Sequence, residues 1–220
     1  MTRELQILRV KNIEKNLLKM SSLVEKQIYE SMLCLKYYDL DKAEEVIKKD
    51  DVVDEMHRNI EEECVKFIAT EQPVATDLRR VFAASKIVTD LERMADHAVD
   101  VCKLAKKMGR NISIFNGIGA KLLDMDRTIR AMINAAIDSY IKNDTEIAYS
   151  ICKEDDKIDE MYIVLFEEIL AMIKEKDNLV KEGAQLLFII KYLERIADHV
   201  TNICEWTIFS KDGIYVDLNE

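Results

Sequence analysis

Apolar residues recur at three- and four-residue steps through most of the chain, which is the spacing of one face of an α-helix. Such stretches cover about residues 3–38, 41–70, 73–108, 120–142, 143–176 and 179–209. Asp41 with Glu44, and Asn143 with Glu146, have the spacing of a capping box at a helix start. Pro73 suits the first turn of a helix, where its missing N–H leaves nothing unpaired. The pattern predicts six helices.

The chain also repeats itself. The segment 91–97 reads LERMADH and the segment 193–199 reads LERIADH, so that His97 and His199 lie 102 residues apart (199 minus 97). The segment 50–56, DDVVDEM, is answered by DDKIDEM at 155–161, 105 residues on (155 minus 50). The nearly equal offsets indicate that one half of the chain duplicates the other.

Three helices with short connections, repeated twice, predict an all-α fold of two tandem antiparallel three-helix bundles. We assign residues 1–109 to the first bundle and 120–210 to the second. Residues 110–119 are assigned to a glycine-containing linker, because this is the stretch without a helical period. Residues 211–220 form a C-terminal tail that either lies loose or packs on the outside.

Composition narrows the class of protein. Of 220 residues, 49% are apolar and 34% are charged, with a net charge of −10, so a folded core is expected and a nucleic-acid partner is not. No apolar run is long enough to span a bilayer, and the first ten residues lack the apolar core of a signal peptide. Five cysteines without a CxxC pair favour free thiols. We therefore expect a cytoplasmic protein without membrane insertion.

Pairs of carboxylates four residues apart recur in both repeated segments. This spacing stacks two side chains on one face of a helix. The pairs are Asp50 and Asp54, Glu92 and Asp96, Asp155 and Asp159, and Glu194 and Asp198. Like charges at this spacing repel, costing an isolated helix about 0.2–0.5 kcal/mol each. Two pairs converging in each half would suit a hard cation such as Mg²⁺, Ca²⁺, Mn²⁺ or iron.

The alternative is that each pair is ordinary exposed charge, balanced by nearby Arg and Lys, which is the commoner state of Asp and Glu. Asp100 and Asn202 extend the two stripes by one turn and are secondary candidates as oxygen donors. His97 and His199 could border the sites, although a lone helical His is more often a surface or capping group. His57 gives one Asp-x-x-His, which falls short of the pattern of a ferritin-like di-iron site.

No signature of a catalytic nucleophile or of a phosphate-binding loop is present in the sequence. Catalysis is therefore not predicted. If the acidic pairs nevertheless served a reaction, the protein would be a metal-handling or metal-dependent enzyme. We keep this as the alternative function, and it would need an open coordination position beside a substrate pocket.

The repeated Leu-Glu-Arg-x-Ala-Asp-His, the stretch QPVATDLR at 72–79 and the stretch DHVTNICE at 198–205 resemble the PhoU family over nearly the whole chain. Members often have Gly where Ala95 and Ala197 stand here. The resemblance implies a pair of three-helix bundles, commonly dimeric, that acts as a cytoplasmic negative regulator of phosphate uptake and phosphate-starvation signalling. Its implied partners are the ATPase of a phosphate ABC transporter and a sensor histidine kinase.

Several members of the PhoU family bind iron or other metal ions on such acidic motifs. The resemblance therefore implies metal ions (iron, manganese, zinc or magnesium) in two sites, one in each half. By position, the first site would use Asp50, Asp54, Glu92 and Asp96, and the second Asp155, Asp159, Glu194 and Asp198.

Overall fold

The computed structural model describes residues 3–109 and 115–218. The described residues form six α-helices and contain no strand. The helices are α1 (Arg3–Tyr37), α2 (Leu40–Glu71), α3 (Ala75–Met108), α4 (Phe115–Lys142), α5 (Thr145–Glu175) and α6 (Val180–Asp212), with a 3₁₀ turn at Asp177–Leu179. The predicted all-α class is confirmed. Among the described residues, no helix is both long and apolar enough to cross a membrane.

The turns into α2 and α5 follow the same design, and both predicted caps are wrong. Asp39, not Asp41, caps α2 by accepting a hydrogen bond from the backbone N–H of Lys42 at 2.9 Å. Asp144, not Asn143, caps α5 in the same way. In each turn the preceding residue, Tyr38 or Asn143, has a left-handed backbone with φ of 53° or 56°. That residue reverses the chain, so the following extended aspartate takes the cap position.

Two other predicted helix starts also differ. Helix α3 begins at Ala75, so Pro73 lies before the helix rather than in its first turn. The chain leaves α2 through Gln72, whose φ is 45°, and Pro73 then favours the extended backbone that leads into α3. Helix α4 begins at Phe115, within the stretch assigned to the linker. Residues 110–114 of that stretch lie outside the described residues.

The duplication is visible in the core. The buried positions of α1 recur 105 residues later in α4. The fully buried members are Leu17, Met20, Val24 and Ile28 in α1, and Leu122, Met125, Ile129 and Ile133 in α4. Each such side chain contributes about 1.5–3 kcal/mol relative to exposure. Each bundle therefore begins with an amphipathic helix that has the same pattern of buried positions.

The two bundles pack directly against each other, α3 against α6 and α1 against α4, and share one continuous core. Helix α3 is buried on most of its circumference. Between α1 and α4, the Arg130 guanidinium lies 3.2 Å from the Glu25 carboxylate and also binds Asp126, which is only 2% exposed. Glu25 and Arg130 are themselves repeat-related (130 minus 25 is 105). The halves are thus joined by a packed interface.

Candidate metal centres

The first acidic group combines Asp50 and Asp54 of α2 with Glu92 and Asp96 of α3. All four side chains are partly buried. The pKa of Asp50 is raised to about 6, first by burial and then by the negative charges of Asp96, Asp54 and Glu92. The pKa of Glu92 is raised by burial and by Asp96. Mutual repulsion of this kind requires the α2 pair and the α3 pair to face each other across the helical hairpin.

The second acidic group combines Asp155 and Asp159 of α5 with Glu194 and Asp198 of α6. Its four carboxylates line one pocket of about 360 Å³. The exposed Asp156 adds a fifth carboxylate, and Cys152 and Leu218 complete the lining. The same α-helical hairpin therefore presents an acidic face in each half of the chain.

Asp155 is the most perturbed carboxylate of the second acidic group. Its residue is 9% exposed, and its Oδ1 is buried without a hydrogen-bond partner. Burial raises the pKa of Asp155 to about 7, with further increases from Asp159 and Asp198. Burial and Glu194 also raise the pKa values of Asp159 and Asp198. An unpartnered buried carboxylate oxygen is costly unless a proton or a cation satisfies it.

The donor set fits a hard or borderline cation, since it consists of carboxylate oxygens on facing helices. Within residues 3–109 and 115–218, however, no three His, Cys, Asp or Glu side chains are already gathered closely enough to hold a metal ion. Binding would therefore require side-chain rotation toward a common point. Ionised carboxylates repel one another, and a bound cation would remove that repulsion.

One glutamate of each acidic group has a basic neighbour, and in the first group Nε of Arg93 lies 3.5 Å from Oε2 of Glu92. Lys191 lies 2.6 Å from Glu194 in the second acidic group, and that contact is solvent-exposed. Near the first group, Lys103 lowers the pKa of Asp50, but burial and the neighbouring carboxylates outweigh its effect. The groups are thus only partly neutralised by the protein itself.

The repeated histidines lie between the bundles and do not complete the acidic groups. The Nδ1 of His199 on α6 lies 2.9 Å from Oδ1 of Asp90 on α3. The ring of His97 on α3 stacks on Tyr192 of α6, with centroids 5.3 Å apart. Burial and Arg195 lower the pKa of His97 to about 4, so its ring is neutral at pH 7. Asp90 and Tyr192 occupy repeat-related positions (192 minus 90 is 102). Each histidine therefore contacts the residue at the same repeat position of the helix from the other bundle.

The two secondary candidates have partners outside the acidic groups. Asp100 accepts a hydrogen bond from Lys103 at 3.1 Å. The amide of Asn202 donates to Asp90 at 3.1 Å, within the interface between α3 and α6. Asn202 therefore joins Asp90 and His199 in an interhelical polar cluster.

Helix α6 continues to Asp212, so the described part of the tail is residues 213–218, and it packs on the outside of the second bundle. The backbone N–H of Leu218 donates to Oε1 of Glu205 at 2.8 Å, and Leu218 forms part of the wall of the acidic pocket. The ring of Tyr215 stacks on Phe209 with centroids 4.4 Å apart and contacts Trp206 edge-on. The tail therefore contributes one side chain, Leu218, to the wall of the second acidic pocket.

Sequence reasoning missed the part played by Asp90 and Tyr192. Both lie outside the repeated LERxADH segment, and they differ in residue type between the halves. The available signal was position: Asp90 and Tyr192 each lie seven residues, about two helical turns, before the histidine of their own helix. A partner on another helix cannot be identified from that spacing.

The fold and the site define a class of protein: two repeated three-helix bundles, each with an acidic face on its second and third helices. The model of the PhoU domain family matches residues 17–105 and 122–207, which together make up more than half of the chain. The chain therefore belongs to the PhoU family, as its motifs indicated.

Relatives match over all or most of their length. A Clostridium acetobutylicum protein named phosphate-specific transport system accessory protein PhoU homolog is 42% identical over 221 residues, covering 100% of both chains. A Pseudomonas aeruginosa protein of the same name is 31% identical, covering 93% of this chain and 84% of its own.

Two solved structures have the same fold. The crystal structure of the phosphate transport system regulatory protein PhoU from Streptococcus pneumoniae has a TM-score of 0.88 at 29% identity, covering 96% of this chain and 99% of its own. The crystal structure of PhoU from P. aeruginosa has a TM-score of 0.83 at 30% identity, covering 94% and 99%.

Proposed function

We propose that this chain is an accessory protein of a phosphate-specific transport system and a negative regulator of phosphate uptake and phosphate-starvation signalling. The observation that carries this proposal is the match, over 100% and 84% of their own lengths, to two PhoU relatives that are named as phosphate-specific transport system accessory proteins. The protein acts without catalysing a reaction. It works in the cytoplasm, as a homodimer, as an adaptor between the transporter ATPase and a sensor histidine kinase.

The proposal includes metal ions on both acidic groups. The support is physical: Asp155 has a buried oxygen without a partner, and the pKa values of Asp50 and Asp155 are raised by burial and, to a smaller extent, by neighbouring carboxylates. A bound cation would satisfy that oxygen and neutralise the repulsion. Iron, manganese, zinc and magnesium all accept carboxylate oxygens, so the donor set leaves the choice among them to availability.

Metal binding also has a consequence for the adaptor. Each acidic group spans two helices, α2 with α3 or α5 with α6, so one cation bound by both helices would hold the hairpin at a fixed spacing. It would also reduce the negative charge of that face. Complementary charge governs which partners dock and how quickly, so loading with metal would alter partner binding.

The test uses a bacterial host lacking its own PhoU protein and carrying the cognate transporter and kinase of this chain. Restoring the chain should lower phosphate uptake and silence a phosphate-starvation reporter in phosphate-rich medium. Purified ATPase and kinase domain should each be captured by the chain. Unchanged uptake and reporter activity, together with no capture of either partner, would show the proposed function to be wrong.

Two variants separate the metal from the adaptor. One changes Glu92, Asp96, Glu194 and Asp198 to Ala. The matched control removes four exposed, repeat-related carboxylates from α2 and α5: Glu55, Glu62, Glu160 and Glu167. Regulation should weaken in the first variant and persist in the control. Equal regulation in both would remove metal from the mechanism and leave the adaptor role in place.

A further inference from the structure

A cavity of about 200 Å³ lies in the groove between α1 and α2. Its apolar wall is formed by Leu23 of α1 and by Val52 and Val53 of α2. A single water takes up about 30 Å³, and drug-sized ligands occupy cavities of about 300 Å³ or more. The cavity therefore has room for a ligand larger than one water and smaller than a drug. None of its lining residues belongs to either acidic group.

The wall also contains buried polar atoms without partners. Gln27 on α1 is 2% exposed, and neither its Nε2 nor its Oε1 has a hydrogen-bond partner among the described residues. Glu30, about one helical turn later, also lines the cavity and is 9% exposed. Its Oε2 is buried, and Nζ of Lys49 lies 3.6 Å away, which is too long for a hydrogen bond. Buried polar atoms left in this state cost the protein stability.

The second bundle shows that the fold does not require these polar groups. Positions of α1 recur in α4 105 residues later, so Gln27 corresponds to Met132 (132 minus 27) and Glu30 to Ala135 (135 minus 30). Met132 is 4% exposed and belongs to the apolar core. One bundle thus has an apolar side chain where the other has an unsatisfied amide beside a cavity. A costly polar group that the related bundle lacks indicates a role in binding.

The charges around the cavity favour an uncharged ligand. Nζ of Lys26 lies 3.9 Å from Oε1 of Glu30, and Lys49 lies near Oε2 of the same carboxylate. Lys49 also pairs with Glu45 at 2.6 Å. Two lysines are therefore balanced by two glutamates. The Glu30 carboxylate would repel an anion, and the two ammonium groups would repel a cation.

We propose that this cavity binds a small neutral molecule in which a primary amide is attached to an apolar body. The carbonyl oxygen of the ligand accepts from Nε2 of Gln27, and its amide nitrogen donates to Oε1 of Gln27 and to Oε2 of Glu30. This arrangement satisfies all three unpartnered atoms of the wall. The apolar body packs against Leu23, Val52 and Val53. The inference depends neither on metal binding nor on the adaptor role.

The test titrates the folded full-length protein with three molecules of nearly the same shape: isovaleramide, which is neutral, isovalerate, which is anionic, and isopentylamine, which is cationic. Binding is followed by NMR of isotope-labelled protein, at the side-chain amide of Gln27 and at the backbone N–H groups of Val52 and Val53. We expect isovaleramide to shift these signals to saturation. Each charged analogue should bind on the order of 10-fold more weakly or less well still, because it loses hydrogen bonds and meets a like charge.

Variants identify the amide of Gln27 as the recognition group. Gln27→Met introduces the residue of the second bundle, so it should fold with a melting temperature at or above that of the parent. It should bind isovaleramide on the order of 10-fold more weakly, as measured at Val52 and Val53. Asn12→Met is the matched control, because it also removes an amide from α1 but at an exposed position outside the cavity. This control should bind isovaleramide as tightly as the parent.

Three results would overturn the proposal. The first is that isovaleramide leaves the signals of Gln27, Val52 and Val53 unmoved, which would leave water as the only occupant of the cavity. The second is that folded Gln27→Met binds isovaleramide as tightly as the parent does. The third is that isovalerate or isopentylamine binds the parent as tightly as isovaleramide does.

Discussion

Changing Asp155 to Asn removes the carboxylate with the highest pKa in the second acidic group. Its pKa of about 7 lies well above the usual value of 3.8. Folded protein therefore holds a proton on Asp155 over a pH range in which unfolded protein does not. This proton uptake adds stability that is fully present below about pH 3.8 and is lost as the pH rises through about 7.

The magnitude follows from the same two values. Each pKa unit is worth about 1.4 kcal/mol, so between pH 5 and pH 8 the parent protein would lose up to about 3 kcal/mol of unfolding free energy at this residue. Neighbouring carboxylates share protons with Asp155, which reduces the effect to about 1–2 kcal/mol. An Asn at this position does not titrate. The variant should therefore gain about 1–2 kcal/mol on the parent over this range.

Urea denaturation at pH 5 and pH 8, in chelator, measures this difference. Asp156→Asn is the matched control, because Asp156 lines the same pocket but is exposed. Its stability should follow that of the parent within about 0.5 kcal/mol at both pH values. If the advantage of Asp155→Asn over the parent is the same at pH 5 and pH 8, the reasoning from burial and charge repulsion is refuted.

Two further predictions concern the interface and the tail. Arg130→Met should destabilise the protein by about 2–4 kcal/mol in urea denaturation, because both the buried Asp126 and Glu25 lose this ion-pair partner. A loss of less than about 1 kcal/mol would contradict this role of Arg130. Leu218→Asp should release the tail and shift the emission of Trp206, the single tryptophan, to longer wavelength. An unchanged spectrum would mean that Leu218 does not hold the tail in place.

Much of the fold could be predicted because it is local. The three- and four-residue spacing of apolar residues identifies each helix, and the duplication indicates that the same arrangement occurs twice. The helix starts were less predictable. Asp39 and Asp41 are both acceptable caps from sequence, and the left-handed turn at Tyr38 decides between them. That choice depends on how the two helices pack.

The acidic groups could be located from sequence for a similar reason. The spacing of four within each pair and the length of each helical hairpin bring the pairs to a similar height. The contacts of His97 and His199 could not be predicted, because they depend on how the second bundle docks on the first. Asp90 and Tyr192 come from the opposite helix in each contact, and no local pattern links them to a histidine.

The most direct test of the proposed metal sites is elemental analysis of the purified protein after incubation with iron, manganese, zinc and magnesium. Three proteins are compared: the parent, the variant with Glu92, Asp96, Glu194 and Asp198 changed to Ala, and the matched variant lacking four exposed glutamates. We expect stoichiometric metal in the parent and the matched variant and none in the first variant. Absence of metal from the parent, or equal metal in all three, would contradict metal binding by the acidic groups.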